Sequence, residues 1–170
     1  NDIQTLLNSE IHEHRLTGLL ILTYKYKNGE KEQIYDLYSK NFSRINNWDL
    51  VDVSAPNIVG NYLLDKDKNI LKKYANSNHL WTKRIAIVST LEFIKNNQFN
   101  DTIKISEILL DDKHDLIHKA CGWMLREVGK KDVKVLEKFL DKYSRTMPRT
   151  MLRYSIEKFS KEKRTHYMAK

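Results

Sequence analysis

Apolar residues recur along this chain every three or four positions, with charged and amide side chains between them, which is the period of amphipathic helices. Ile11, Leu16, Leu19, Leu20 and Leu22 make a first stripe, with Ser9 ahead of it as N-cap and Asn28-Gly29 as its close. Ile34, Leu37, Tyr38 and Phe42 mark a second helix from about Lys31 to Ile45, broken by Asn46-Asn47. A third runs from Trp48 towards Leu64, and Pro56 inside it is expected to kink or split it. Further helices are predicted near 67–76, 80–96, 101–110, 113–129, 132–143 and 147–160. Asp101 and Asp112 are their candidate caps, Asn96-Asn97 and Gly129 their candidate stops. No segment reads as a strand.

The helices also repeat. Arg84-Ile85-Ala86-Ile87-Val88, Lys119-Ala120-Cys121-Gly122-Trp123 and Arg149-Thr150-Met151-Leu152-Arg153 align on their basic residues, and His14-Arg15-Leu16-Thr17-Gly18 fits the same frame about two periods upstream. A period of roughly 30–35 residues of paired antiparallel helices is the mark of an α-solenoid. Stacking would line the basic residues along one concave wall. Regular helices also produce such alignments by coincidence, and that alternative stays open on spacing alone.

Composition narrows the class. The 170 residues are 41% hydrophobic and 31% charged, enough for one folded domain spanning 1–170. Five glycines and two prolines are too few for a barrel or sandwich of many short strands. A single cysteine, Cys121, leaves no intramolecular disulfide framework and no Cys-rich zinc site, and fits a reducing, cytoplasmic setting. No apolar run approaches the length of a membrane span, and Asn1-Asp2-Ile3-Gln4 does not read as a signal peptide. The net charge is +8, with +2 over residues 1–85 and +6 over 86–170. Residues 145–170 hold 8 basic groups against Glu157 and Glu162. A basic end of this kind suits a polyanion such as nucleic acid, although solvated lysines on an exposed helix look the same.

Three groupings are candidates for chemistry. Trp48 and Asp52 lie four apart on one helix face. An indole beside a carboxylate suits a cationic or electron-poor ligand, while a core tryptophan with a surface aspartate explains the same pair. Arg84, in Trp81-Thr82-Lys83-Arg84, has the planar donor fork for a phosphate or for a salt bridge to the next repeat. Lys119, Trp123 and Arg126 share a third face around Gly122, a mid-helix glycine that costs ~1 kcal/mol relative to alanine and implies close approach by another helix or a ligand. The His12-Glu13-His14 run lacks the i, i+4 spacing of a helical zinc site, no phosphate-binding glycine loop or nucleophile elbow occurs, and Cys121 on an apolar face is expected to be buried.

Together these segments resemble the AlkD-like family of alkylpurine DNA glycosylases. The matching stretches are His12-Glu13-x-Arg15, Asn47-Trp48-Asp49-Leu50-Val51-Asp52, Trp81-x-x-Arg84-Ile85-Ala86, Gly122-Trp123-x-Leu125-Arg126-Glu127 and Pro148-Arg149-Thr150, in order from about residue 10 to 160. No one of them is specific; five in register are. The resemblance implies an all-α solenoid of HEAT-like helix pairs, a right-handed curved superhelix with a basic concave face. It implies release of N3- and N7-alkylated purines from duplex DNA by cleavage of the N-glycosidic bond, with no metal or other cofactor. It assigns the catalytic site to Trp48, Asp52, Arg84 and Trp123; with the basic residues of the repeats and their neighbours, Arg84, Lys119, Arg126, Arg149 and Arg153 are the residues expected to bind DNA. Arg84 is expected to grip a neighbouring phosphate. The family carries further residues ahead of the helix near Ser9, including an aromatic residue with no counterpart here. A monomer is expected. The competing class is a non-catalytic helical-repeat module that binds DNA, RNA or a protein. Asp52 separates the two, because a carboxylate in a phosphate-binding groove would repel its ligand.

Overall fold

The computed structural model describes residues 2–29 and 31–169, and these are helical throughout with no strand among them. In chain order the α-helices are α1 Asp2–Asn8, α2 His12–Asn28, α3 Lys31–Lys40, α4 Trp48–Ala55, α5 Asn61–Leu63, α6 Asn69–Ala75, α7 Leu80–Lys95, α8 Asn100–Ile108, α9 Asp115–Lys131, α10 Val133–Tyr143, α11 Arg149–Ser155 and α12 Lys161–Ala169.

They form two rows. In the first, α2, α4, α7, α9 and α11 pack in succession. Polar bonds between these neighbours keep a constant register: Arg15 to Asn46, Asp52 to Arg84, Arg84 to Leu116 and Arg126 to Glu157 each span 31 or 32 residues. That spacing falls within the 30–35 residue period read from the basic residues. In the second row, Tyr35 of α3 meets Tyr74 of α6, Tyr143 of α10 bonds Glu107 of α8, and Lys163 of α12 pairs with Glu137 of α10. The core lies between the rows. Helix α7 sits at its centre and is buried continuously from Arg84 to Thr90, so its turn Ile85-Ala86-Ile87-Val88 is apolar all round rather than on one face.

Several local expectations are corrected. Pro56 does not split its helix: α4 passes into a π-helical turn, Pro56–Gly60, and on into α5, with helical dihedrals kept at Pro56 (φ −62, ψ −40). Proline has no N–H for the carbonyl four residues back, and the wider turn absorbs the mismatch. Gly129 does not stop α9, which continues to Lys131; its missing side chain makes room for Leu136. Asp112 is not the cap of α9. It accepts the His114 N–H and the Lys83 ammonium, and the His114 ring takes the capping bond from Leu116. Ser9 lies ahead of Ile11, the N-cap residue of α2, and its hydroxyl accepts the Ile11 N–H. The helix expected over 147–160 ends at Ser155, and α1 and α12 have no counterpart in the sequence reading.

Candidate functional site

The starts of α4, α7 and α9 lie side by side, with α11 beside them, and a cleft of about 320 Å³ opens there. Its walls are Trp48, Arg84, Leu116, Lys119, Trp123, Arg126 and Tyr154. Asn47 begins α4 by accepting the Trp48 N–H on its side chain at 2.8 Å, which sets the first turn and leaves the indole 52% exposed. An indole exposed to that degree at a helix start is not a core tryptophan. Asp52 follows one turn later. Lys119, Trp123 and Arg126 project along one face of α9. Gly122 sits against α11, where an added Cβ would stand 2.5 Å from the Tyr154 Cβ and 2.6 Å from the Met151 carbonyl oxygen. The close approach expected at this glycine is therefore made by a helix, and it holds Tyr154 in the cleft wall.

Arg84 ties the site together. Its Nε donates to Asp52 Oδ1 at 2.9 Å and its Nη2 to Oδ2 at 2.8 Å, a bidentate pair; its Nη1 donates to the Leu116 carbonyl at 2.6 Å. The Arg84 side chain is only 6% exposed and that of Asp52 17%. Pairing of this kind in a desolvated place is well ordered. It also leaves the guanidinium two of its five N–H groups, so Arg84 braces Asp52 and the first turn of α9 rather than standing as an open phosphate grip.

The other cations of the cleft are also engaged. Lys119 pairs with Asp115 at 2.8 Å, and that bond raises the ammonium pKa above its ordinary value while lowering the carboxyl's. Arg126 bridges Glu127 and Glu157. The Glu157 carboxyl is held low by Lys158 and by Arg126. Three cations in the wall thus meet four carboxylates, two of which, Glu127 and Glu157, are shared with Lys130 and Lys158. The cleft combines three aromatic surfaces with cations that are each paired with a carboxylate.

The profile of the family described as "DNA alkylation repair enzyme" matches residues 1–159. The chain belongs to that family. A solved structure described as a predicted DNA alkylation repair enzyme from Enterococcus faecalis shares the fold, with a TM-score of 0.79 at 16% identity, over 94% of this chain and 75% of that one. No curated protein sequence matches the chain significantly. Membership gives this alkylation repair protein a role in DNA alkylation repair, with DNA as its substrate.

The residues singled out from the sequence are distributed unevenly around this protein. Trp48, Arg84, Lys119, Trp123 and Arg126 meet in the cleft, and Asp52 adjoins it through Arg84. Arg149 and Arg153 are not among its lining residues: Arg149 donates to the Met168 carbonyl at 2.8 Å, and Arg153 is exposed. The expected row of basic repeat residues is not a row of free charges. Arg15, like Arg84, is buried and gives three of its donors to Ser9, Glu10 and Asn46. His12 pairs with Asp49 at 2.7 Å, joining the starts of α2 and α4. Cys121 is fully buried, and burial pushes its thiol well above the ordinary range, which keeps it unreactive. Tyr154 and Leu116 were missed. Tyr154 was nevertheless legible, because it stands one repeat register beyond Trp123.

Proposed function

We propose that this alkylation repair protein is a DNA glycosylase that hydrolyses the N-glycosidic bond of N3- and N7-alkylated purines in duplex DNA. Alkylation at either nitrogen puts a positive charge on the purine and makes it a good leaving group. The bond between the sugar C1′ and the base breaks with its electron pair going to the base, which leaves neutral. Positive charge develops on the sugar, and the oxygen of a water molecule bonds to C1′ as one of its protons passes to the surrounding water. The transition state therefore gains from negative charge and π density near the sugar and little from acid catalysis at the base. Trp48 and Trp123 offer the π surfaces. Asp52 offers the charge, and the lone pairs that Arg84 leaves free on its carboxylate can orient the water. The observation that carries this reading is the pairing of the cleft cations with carboxylates within an otherwise basic protein. A site built for phosphate alone would leave its cations unpaired.

The reaction as written needs no metal or nucleotide. Phosphate contact falls to exposed groups outside the cleft, Arg153 first among them. The test is release of free methylated purine from alkylated duplex by the purified chain, read chromatographically. Tight binding to that duplex with no base release would favour the non-catalytic DNA-binding module instead.

A further inference from the structure

We propose that a second cavity, where α2 and α7 end, is a binding site for a dianionic phosphate group, free or carried on a small molecule. Such a site is independent of the glycosylase chemistry. The cavity, of about 310 Å³, opens where the last turns of α2 and α7 meet the start of α3 and the π-helical turn. Tyr26 and Lys27 come from α2, Lys31 from α3, Asn57 and Asn61 from the π turn and α5, and Glu92 and Lys95 from α7. Along α7, Arg84 lines the repair cleft and Glu92 and Lys95 line this cavity, so about 12–16 Å of helix separates the two. Gly60 closes the π turn onto α7: a Cβ there would stand 2.3 Å from the Ser89 carbonyl oxygen and 2.9 Å from the Glu92 Cβ. That contact carries the two asparagines to the end of α7.

Charge and hydrogen bonding decide the ligand. The repair cleft pairs each of its cations with a carboxylate; this cavity does not. Glu92, the carboxylate of the wall, is bound to Lys95 at 3.1 Å, and neither Lys27 nor Lys31 meets a carboxylate among the described residues. The Lys31 ammonium lies 5.5 Å from the centre of the Tyr26 ring and 3.5 Å from Asn61 Oδ1. Asn61 thus turns its oxygen to the cation and keeps its amide N–H groups as donors. Tyr26 is 2% exposed, and its hydroxyl has no hydrogen-bond partner among the described residues. Burial pushes its pKa up to about 12, so it remains a proton donor. A buried donor without a partner is costly, and an anionic oxygen in the cavity would satisfy it. Two free ammonium groups balance a phosphate monoester, which carries about −1.5 to −2 at neutral pH. A phosphodiester would leave one of them uncompensated.

The test is calorimetric titration of the whole chain with ribose 5-phosphate, inorganic phosphate and ribose. Saturable binding of one ribose 5-phosphate per chain is expected, with no binding of ribose. Equal affinity for inorganic phosphate would identify the free ion as the ligand, and higher affinity for the ester a phosphorylated small molecule. Removing the charge in Lys31→Gln, or the hydroxyl in Tyr26→Phe, should weaken binding about ten- to a hundredfold. Lys134→Gln, at an exposed position of α10, should change nothing. Tyr26→Phe should melt no lower than wild type, because the hydroxyl it removes has no partner; a lost contact is thereby told from a lost fold. Failure of wild type to bind either phosphate overturns the proposal. So does binding that Lys31→Gln leaves intact or that Lys134→Gln weakens equally. Loss of phosphate binding on addition of unmodified duplex would place the lysines on the duplex surface and overturn it as well. Base release from alkylated duplex by Lys31→Gln should match wild type, so the two sites stand or fall separately.

Discussion

Removing the charge on Asp52 tests the site where structure and chemistry pull in different directions. Asp52→Asn keeps the shape of the side chain, but it turns one carboxylate oxygen that accepts from Arg84 into an amide that cannot accept. Arg84 is 6% exposed, so it would be left as a buried cation with one weakened bond and the Leu116 carbonyl. Breaking a buried ion pair from one side typically costs ~3–5 kcal/mol, and the bonds that remain to Arg84 bring the expected loss to about 2–4 kcal/mol. For a chain of this length that corresponds to a fall in melting temperature of roughly 5–15 °C. Catalysis should fall further. One preorganised electrostatic group is worth ~3–4 kcal/mol in the transition state, which is about a hundredfold or more in single-turnover excision. The two effects are separated by the double variant Asp52→Leu/Arg84→Met. Replacing a buried pair by apolar groups of similar size is commonly neutral for stability, so this variant should melt near wild type and still excise slowly. The assay is single-turnover release of N3-methyladenine well below the lowest melting point. Excision at the wild-type rate by either folded variant would show that Asp52 is not the catalytic carboxylate.

Three further outcomes follow from the same geometry. Gly122→Ala gains about 1 kcal/mol of helix propensity but places a Cβ against Tyr154 and the Met151 backbone, so thermal melting should show a net loss of about 1–3 kcal/mol. Duplex binding should weaken with salt, and Arg153→Ala should reduce the slope of log K against log salt by about 0.9; Arg84→Ala, which removes a buried side chain with three of its five donors engaged inside the protein, should change that slope less while destabilising the fold. Burial pushes the Asp112 carboxyl up, but the Lys83 ammonium and the His114 N–H outweigh it and hold the pKa below its ordinary value. A carboxyl depressed in the folded state contributes stability above its unfolded pKa and loses it as pH falls through the folded one. Asp112→Asn should therefore lower stability at neutral pH and flatten its decline below about pH 4, as measured by urea titration across that range.

Helicity, the single core and the repeat were written in local sequence. Spacing of apolar residues is a property of each helix by itself, and Asn47, Asn96-Asn97 and Asn28-Gly29 mark helix ends without reference to distant residues. The register between neighbours was legible too, because repeats that stack alike place like residues at like intervals. Trp48 and Asp52 could be put on one face for the same reason. What local pattern could not show was which partner each charge would choose. Arg84 and Arg153 are the same residue type two repeats apart, yet one is a buried brace for Asp52 and the other an exposed cation. That difference comes from what the flanking helices bring to each: a carboxylate from α4 and a helix-start carbonyl from α9 at Arg84, open solvent at Arg153. The same holds for Gly129, which looked like a stop and became a seat for Leu136, and for Pro56, whose missing N–H was absorbed by a π turn. Ion pairing, close approach and shared clefts depend on contacts some thirty residues apart in the chain, and only the packed helices bring those residues together.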